Sequence, residues 1–513
     1  MQQTKLRVGE TYDIQNPSNG ATVGTIAAMD VTDTNDAVEA AGEALAAWKS
    51  RTPFERSEVL QKWDQLLRDN TKDLAVIMAT ESGKPLVEAA GEVAYAADYL
   101  RFFAHECLRY EGFMIPNHVP SRRLMAIRQP VGVCAMITPW NFPIGMLARK
   151  VAPALAAGCT AVVKPAGTTP LSALAFATLG HEAGVPDGVL NVVPATHDAA
   201  PRIGRALATH PTVRKLSFTG STSVGKLLAA QCATTMKRVS MELGGNAPFI
   251  VFDDANLDEA VAGLIQAKFR NTGQTCVCPN RVFVQQSILE EFTGRLVDRV
   301  LDLTLGDAVS SGCNLGPLIT PTAVDKVTMD MNIANEEVFG PVVPVLSFDT
   351  EADVVEMANA TDVGLAAYCY TSDLGRAWRM SEVLETGMVG INAGMISAVQ
   401  APFGGIKQSG QGREGSIVGL ETFATSPNTG AMLVLISFDL VGAINTLLES
   451  TYNVLSVLFA DPSFTIANQL GNGVLGAINI TLIRLRMGGT APTPTDVTRI
   501  SKVRIYIFFS ISS

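Results

Sequence analysis

At 513 residues the chain is longer than one hydrophobic core usually supports, so two or three domains are expected. A net charge of −10 excludes a role built on nucleic acid or anionic membrane, both of which call for basic surface, while 47% hydrophobic and 17% charged residues describe a globular protein. The eight cysteines stand far apart and without the dense spacing of a disulfide scaffold, and none of the five histidines has a partner at metal-ligand spacing, so a reducing compartment and no metal are expected.

The first twenty residues lack the apolar core of a signal peptide and the Arg/Ser-rich pattern of a transit peptide, which puts the cytosol ahead of the mitochondrion as the expected compartment. Residues 11–30 carry Asn-Pro and Asn-Gly between short apolar runs and read as a hairpin or two short strands. Apolar residues then recur at helical spacing from Thr34 to Ser50 and from Phe54 to Thr80, with Asp36, Glu43, Asp64 and Asp69 on the polar side, and an alanine-rich helix is expected from Lys84 to Arg109. A polar, Pro-punctuated stretch at 113–130 leads into the buried-strand run VGVCAMI, which ends at Thr138-Pro139.

From there helices near 144–157, 170–183 and 199–208 alternate with the strands TAVVKPA, GVLNVVP and RKLSFTGS. This alternation predicts an α/β fold with a doubly wound parallel sheet, whose ligands bind at the carboxyl ends of its strands. Trp140-Asn141, Lys164 and Gly220-Ser221 each stand at such an end. A helix at 257–271, the strand RVFVQ, a helix at 287–301 and the runs VVPVLSF, LAAYCYT and GMVGINAG predict a second α/β domain.

Two segments concentrate the chemistry. MELGGNAP at 241–248 offers Glu242 beside two glycines, and FRNTGQTCVCPNR at 269–281 offers Cys276. A thiolate can attack a carbonyl carbon, and a carboxylate can activate the water that releases the trapped acyl group. FTGSTSVG at 218–225 runs strand, glycines, helix start, so Gly220, Ser221 and Gly225 allow a pyrophosphate to approach a helix N-terminus. A dinucleotide-type GxGxxG match, GNGVLG at 471–476, lacks a surrounding strand-helix-strand unit of normal length and carries little weight.

The Glu242 and Cys276 segments resemble the active-site signatures of the aldehyde dehydrogenase superfamily, with flanks most similar to its succinate-semialdehyde branch. The resemblance implies an oxidoreductase with Cys276 as nucleophile, Glu242 as base and Asn141 sharing the oxyanion with the Cys276 backbone N–H, a donor whose loss typically costs about 3 kcal/mol. It assigns NADP or NAD to Thr138, Pro139, Trp140, Lys164, Ala166, Gly167, Gly220, Ser221, Gly225, Leu243, Glu337 and Phe339. NAD-preferring members often carry a glutamate where KPAGTTP has Gly167, which favours NADP and leaves NAD open. Arg149 and Arg270, by themselves solvated or ion-paired helix arginines, match the branch's clamp for a substrate carboxylate, with Ser397 assisting. Cys278 keeps two readings, a reversible disulfide partner of Cys276 as in the branch, or a packed core thiol.

The implied organisation is a cofactor domain at 1–112 and 133–244, an oligomerisation hairpin at 113–132, a catalytic domain at 245–403, a return to the first domain at 404–416 and an atypical tail at 417–513. The resemblance runs from about Tyr12 to Gly415 and has one gap. Val327 passes almost directly into Thr328-Met329-Asp330-Met331, where the family has several tens of further residues. Its members form homo-oligomers through a terminal strand that is not recognisable here, and the apolar run at 431–444 is too short to span a bilayer. The expected activity is oxidation of succinate semialdehyde to succinate, with a general aldehyde dehydrogenase, a CoA-acylating enzyme disfavoured by Glu242, or a catalytically impaired nucleotide-binding remnant as alternatives.

Overall fold

The structure is a computed structural model, and it describes residues 9–120, 122–310, 312–319 and 337–424, with the backbone of Thr425 and of Met432–Ser437. The Val327–Thr328 junction, GNGVLG and residues 438–513 lie outside the described residues.

The N-terminal hairpin pairs Thr11–Gln15 with Thr22–Ala27. Helix α1 (Val31–Ser50) starts on a reciprocal capping box between Asp30 and Asp33. Where one helix was expected at 54–80, two occur, α2 (Pro53–Asp69) and α3 (Thr71–Ser82). Asn70 makes the break by turning its side-chain amide back onto the Leu66 carbonyl at 2.8 Å, a local bond that competes with helix continuation. Asp64, expected on the polar side, is buried and bonds Arg68 at 2.8 Å. Helix α4 (Leu86–Glu106) follows Pro85 and closes in a 3₁₀ turn at Cys107–Arg109.

The first large sheet runs in the order Gly410–Gln411, Arg238–Glu242, Val213–Thr219, Val133–Ile137, Thr160–Lys164, Leu190–Val192. Its last five strands are parallel and the first is antiparallel. Every residue of Val133–Ile137 is buried, as a central strand covered on both faces requires. Alternation sends Cys134 and Met136 into the core shared with α2, α4 and α5 (Gly145–Ala156), and Val133, Ala135 and Ile137 into the core beneath α1.

The second sheet is wholly parallel, in the order Val345–Phe348, Pro279–Gln285, Ala247–Val251, Ala366–Tyr370, Met388–Ile391. Phe249 and Val251 face one core and Ile250 and Phe252 the other. Past residue 416, where a divergent tail was expected, the helix Ser416–Glu421 buries Leu420 in the first core, Ala424–Thr425 pairs with Gln129–Pro130, and the backbone of Met432–Ser437 flanks Arg122–Ile127. No described helix is long and apolar enough to cross a membrane.

Candidate active site

Strand Arg238–Glu242 delivers Glu242 at its carboxyl end, and Gly244-Gly245 carries the chain into the second sheet. Both glycines are needed. A Cβ on Gly244 would stand 2.5 Å from Glu337 Oε2, and one on Gly245 would stand 2.7 Å from the Cys276 carbonyl. The Gly245 N–H donates to Glu337 Oε1 at 3.3 Å.

The Cys276 loop begins where a helix expected to reach residue 271 stops at Phe269. Asn271 and Thr272 take φ of 51° and 56°, a left-handed conformation that costs non-glycine residues about 1 kcal/mol or more each. Outside bonds hold this turn. The Asn271 N–H donates to Glu88 Oε2 at 2.7 Å, its side chain donates to the Asn141 carbonyl at 3.0 Å, and Thr272 Oγ1 donates to the Gly316 carbonyl at 3.0 Å. Asn141 reaches across in return, its Nδ2 donating to the Gln274 carbonyl at 2.9 Å. The amide nitrogen carries a second hydrogen beyond that bond.

A cavity of about 260 Å³ lies between the two sheets. It brings together Cys276, Glu242 and Asn141 with Pro139, Trp140, Gly220, Ser221, Leu243, Glu337 and Phe339, and with Arg149, Arg270 and Ser397. Thr138, Lys164, Ala166, Gly167, Gly225 and Cys278 are not in that lining. Trp140 and Phe339 meet edge to face at 5.6 Å. Cys278 is buried with its Sγ 3.6 Å from the Lys268 carbonyl.

The electrostatics favour neutral resting forms. Burial, then the nearby Glu337 and Glu242, push the Cys276 thiol up to about 12, while Arg149 and Arg270 pull against them. Glu242 is buried, and among the described residues neither carboxylate oxygen has a hydrogen-bond partner. Burial and Glu414 hold it well above the usual carboxylate range, against Lys150, Arg149 and Arg413. Glu414 itself bonds Lys150, whose Nζ also donates to Ser217 Oγ at 3.1 Å. Lys150 and Glu414 escaped the sequence reading, because a lysine within a helix and an acid in GREGS look like surface residues until both prove buried.

Arg149 is spoken for internally. Its Nε donates to Tyr99 OH at 3.0 Å and a terminal nitrogen donates to Tyr95 OH at 2.6 Å, with Phe403 stacked 4.0 Å below. Tyr95, also unforeseen, lines the cavity. Arg270 lies 5.2 Å from the Phe142 ring centre and 2.8 Å from Met395 Sδ, and no carboxylate pairs with it among the described residues.

A profile of the aldehyde dehydrogenase family matches residues 5–328 and 318–427. The chain belongs to the aldehyde dehydrogenase family. It is an oxidoreductase with that family's fold, and the match runs past the residue 415 at which the resemblance was expected to end. A glutarate-semialdehyde dehydrogenase of Pseudomonas putida is 48% identical over 449 residues, 81% of this chain and 93% of that protein. The NADP(+)-linked succinate-semialdehyde dehydrogenase of Escherichia coli is 48% identical over 451 residues, with the same coverage of 81% and 93%. A solved succinate-semialdehyde dehydrogenase from Burkholderia pseudomallei superposes with a TM-score of 0.80 at 46% identity, covering 84% of this chain and 95% of that one.

The residues present fit the family's cofactor, NADP or NAD. Lys164 is buried at a strand end where its ammonium meets only the neighbouring Pro165 carbonyl, at 3.1 Å, and burial lowers it to about 8. Thr138 and Thr219, at adjacent strand ends, hold buried hydroxyls with no partner among the described residues. Gly225 lets its helix close on Leu243, which a Cβ would strike at 2.3 Å. Gly167 does more than omit a carboxylate, since a Cβ there would stand 2.7 Å from the Ala195 carbonyl. Among the described residues no cluster of side chains is placed to hold a metal ion.

Proposed function

We propose that this dehydrogenase oxidises succinate semialdehyde, or a close ω-carboxy aldehyde, to the acid with NADP or NAD. The observation that carries the substrate class is Arg270, a cation on the cavity wall that, among the described residues, has no carboxylate in salt-bridge contact, Glu88 acting on it only from a greater distance. A substrate carboxylate supplies the missing charge, and a guanidinium suits it in geometry. Tyr95 adds a second donor. Tyr99 is fully buried, takes a hydrogen bond from Arg149 and lies 2.9 Å from Tyr95 OH, so satisfying its own proton directs that proton to Tyr95. Tyr95 OH then accepts from both Arg149 and Tyr99 and turns its hydrogen to the cavity.

Cys276 Sγ, once deprotonated, bonds the aldehyde carbon. Asn141 Nδ2 and the Cys276 N–H hold the oxygen that becomes negative. NADP or NAD, bound along Lys164, the 220–225 turn and Glu337, supplies the hydride acceptor. A thioester is left on Cys276. Glu242 takes a proton from water as that water adds to the thioester, and the acid and a free thiol result. The cytosol suits a nucleophile that must remain a thiol, in a chain whose eight cysteines are all free.

Steady-state rates with succinate semialdehyde, glutarate semialdehyde and propanal, with NADP and with NAD, test this reading. Arg270→Leu is expected to lower kcat/KM for the carboxylated aldehydes by roughly ten- to hundredfold and to leave propanal within about twofold, the loss of one charge-assisted contact. Equal use of propanal by the wild type would overturn the substrate class and leave a general aldehyde dehydrogenase. No turnover at all would leave the nucleotide-binding remnant.

A further inference from the structure

Behind the Asn141 loop stands a buried ion pair that touches none of the reacting groups. Lys84, in the turn before α4, and Glu92, on α4, each have side chains 1% exposed. Glu92 Oε1 accepts from the N–H groups of Ile144 and Gly145, both at 3.0 Å, and so caps α5, whose own N-cap residue offers no side chain. Its other oxygen pairs with Lys84 Nζ. That ammonium also donates to the Asn141 main-chain carbonyl at 2.8 Å and lies 3.9 Å from the centre of the Phe142 ring. The same carbonyl takes the Asn271 side chain at 3.0 Å, and the Asn271 N–H is anchored on Glu88.

Burying a lysine and a glutamate costs desolvation that their attraction only partly returns, so such a pair is a poor source of stability alone. Capping α5 accounts for Glu92 and leaves Lys84 unexplained. What Lys84 adds is a grip on one carbonyl, that of Asn141, which lines the cavity together with Cys276.

We infer that Lys84 and Glu92 are positioning residues for the oxyanion donor, fixing the main chain at Asn141 through the same carbonyl that the Asn271 side chain holds. The inference rests on Asn141 being that donor. Without the pair, Asn141 keeps its neighbours and loses its alignment, and small misplacements of such groups cost rate more than binding.

The test is a mutant cycle on the full chain. Lys84→Met/Glu92→Gln leaves an oxygen to cap α5 and removes the grip on Asn141, and Lys84→Met alone leaves the cap untouched should the pair variant not fold. In an otherwise wild-type chain, kcat with succinate semialdehyde is expected to fall about tenfold or more, with KM and the Kd for NADP within about twofold. In an Asn141→Ala background the same change should cost less than about twofold, because the group it aligns is gone. Equal losses in both backgrounds, or an unchanged kcat, overturn the inference. If Asn141→Ala alone leaves kcat unchanged, the oxyanion assignment itself falls.

Discussion

Two parts of the molecule bury carboxylates in opposite ways. At the seam between α3 and α4, Glu81 accepts from Leu171 N at 2.8 Å and Ser172 N at 2.9 Å, and Glu92 accepts from Ile144 N and Gly145 N. Each caps a helix of the first sheet whose own N-cap residue makes no side-chain bond. In the cavity, Glu242 is buried as deeply and accepts from no group among the described residues. An unpaired buried polar group costs free energy that a fold alone has no reason to bear. The seam spends its acids on holding elements still. The cavity keeps one unsatisfied and so available to a water molecule.

The sharpest way to break this contrast is to neutralise Glu242. Glu242→Gln keeps the shape and removes the base, and the turnover rate is expected to fall roughly a hundredfold to ten-thousandfold. Because Cys276 and its oxyanion donors remain, a burst of reduced cofactor stoichiometric with enzyme should persist in rapid-mixing absorbance. Loss of the burst together with turnover would mean that Glu242 serves the thiol rather than the water.

A smaller effect sharpens the comparison through pH. Cys276, pushed up to about 12 by burial first and by Glu337 second, and Glu242, also raised, must both lose protons to work. An acid with a raised pKa is neutral at low pH, so kcat/KM should climb with pH from 6 to 9 rather than show an acid optimum. Glu337 is itself raised to about 7 by burial, and it opposes the thiolate only once ionised. Glu337→Gln should therefore move the rising limb toward lower pH, even as weaker cofactor binding lowers the whole curve. A limb that stays in place assigns it to Glu242 alone.

How much of this was legible in the sequence depended on distance along the chain. Strands such as Val133–Ile137 announce themselves because a short, continuously apolar run that stops at Thr138-Pro139 suits a strand covered on both faces. Cys276 and Glu242 announce themselves through the segments around them. The break at Asn70 was missed because a single side-chain bond to Leu66 decides it, and the helix stop at Phe269 because Glu88, some 180 positions away, holds Asn271 left-handed. Lys84, Glu92, Lys150 and Glu414 look like solvated charges in sequence. Only the approach of α4 and α5 to the first sheet makes them buried pairs. Arg149 was legible as a cavity residue, and its engagement with Tyr95 and Tyr99 was not, since that too depends on α4 crossing α5.

The seam's own acid gives the mildest test. Burial raises Glu81 to about 7 despite its bonds to the amides of Leu171 and Ser172. In the unfolded chain a glutamate titrates near its ordinary value of roughly 4.3. Below that value both states hold the proton and folding bears no ionisation cost. As pH rises the unfolded chain releases the proton first, so this contribution to stability drains away and is fully lost above pH 7 or so. Glu81→Gln cannot titrate. It gives up one capping bond at every pH, because an amide offers one acceptor oxygen where the carboxylate used two. Relative to wild type, its unfolding midpoint should therefore rise by roughly 2 °C or more between pH 5 and pH 8. A difference that stays constant over that range would show that Glu81 is ionised throughout, its charge held by the helix N-terminus as Glu242's is not.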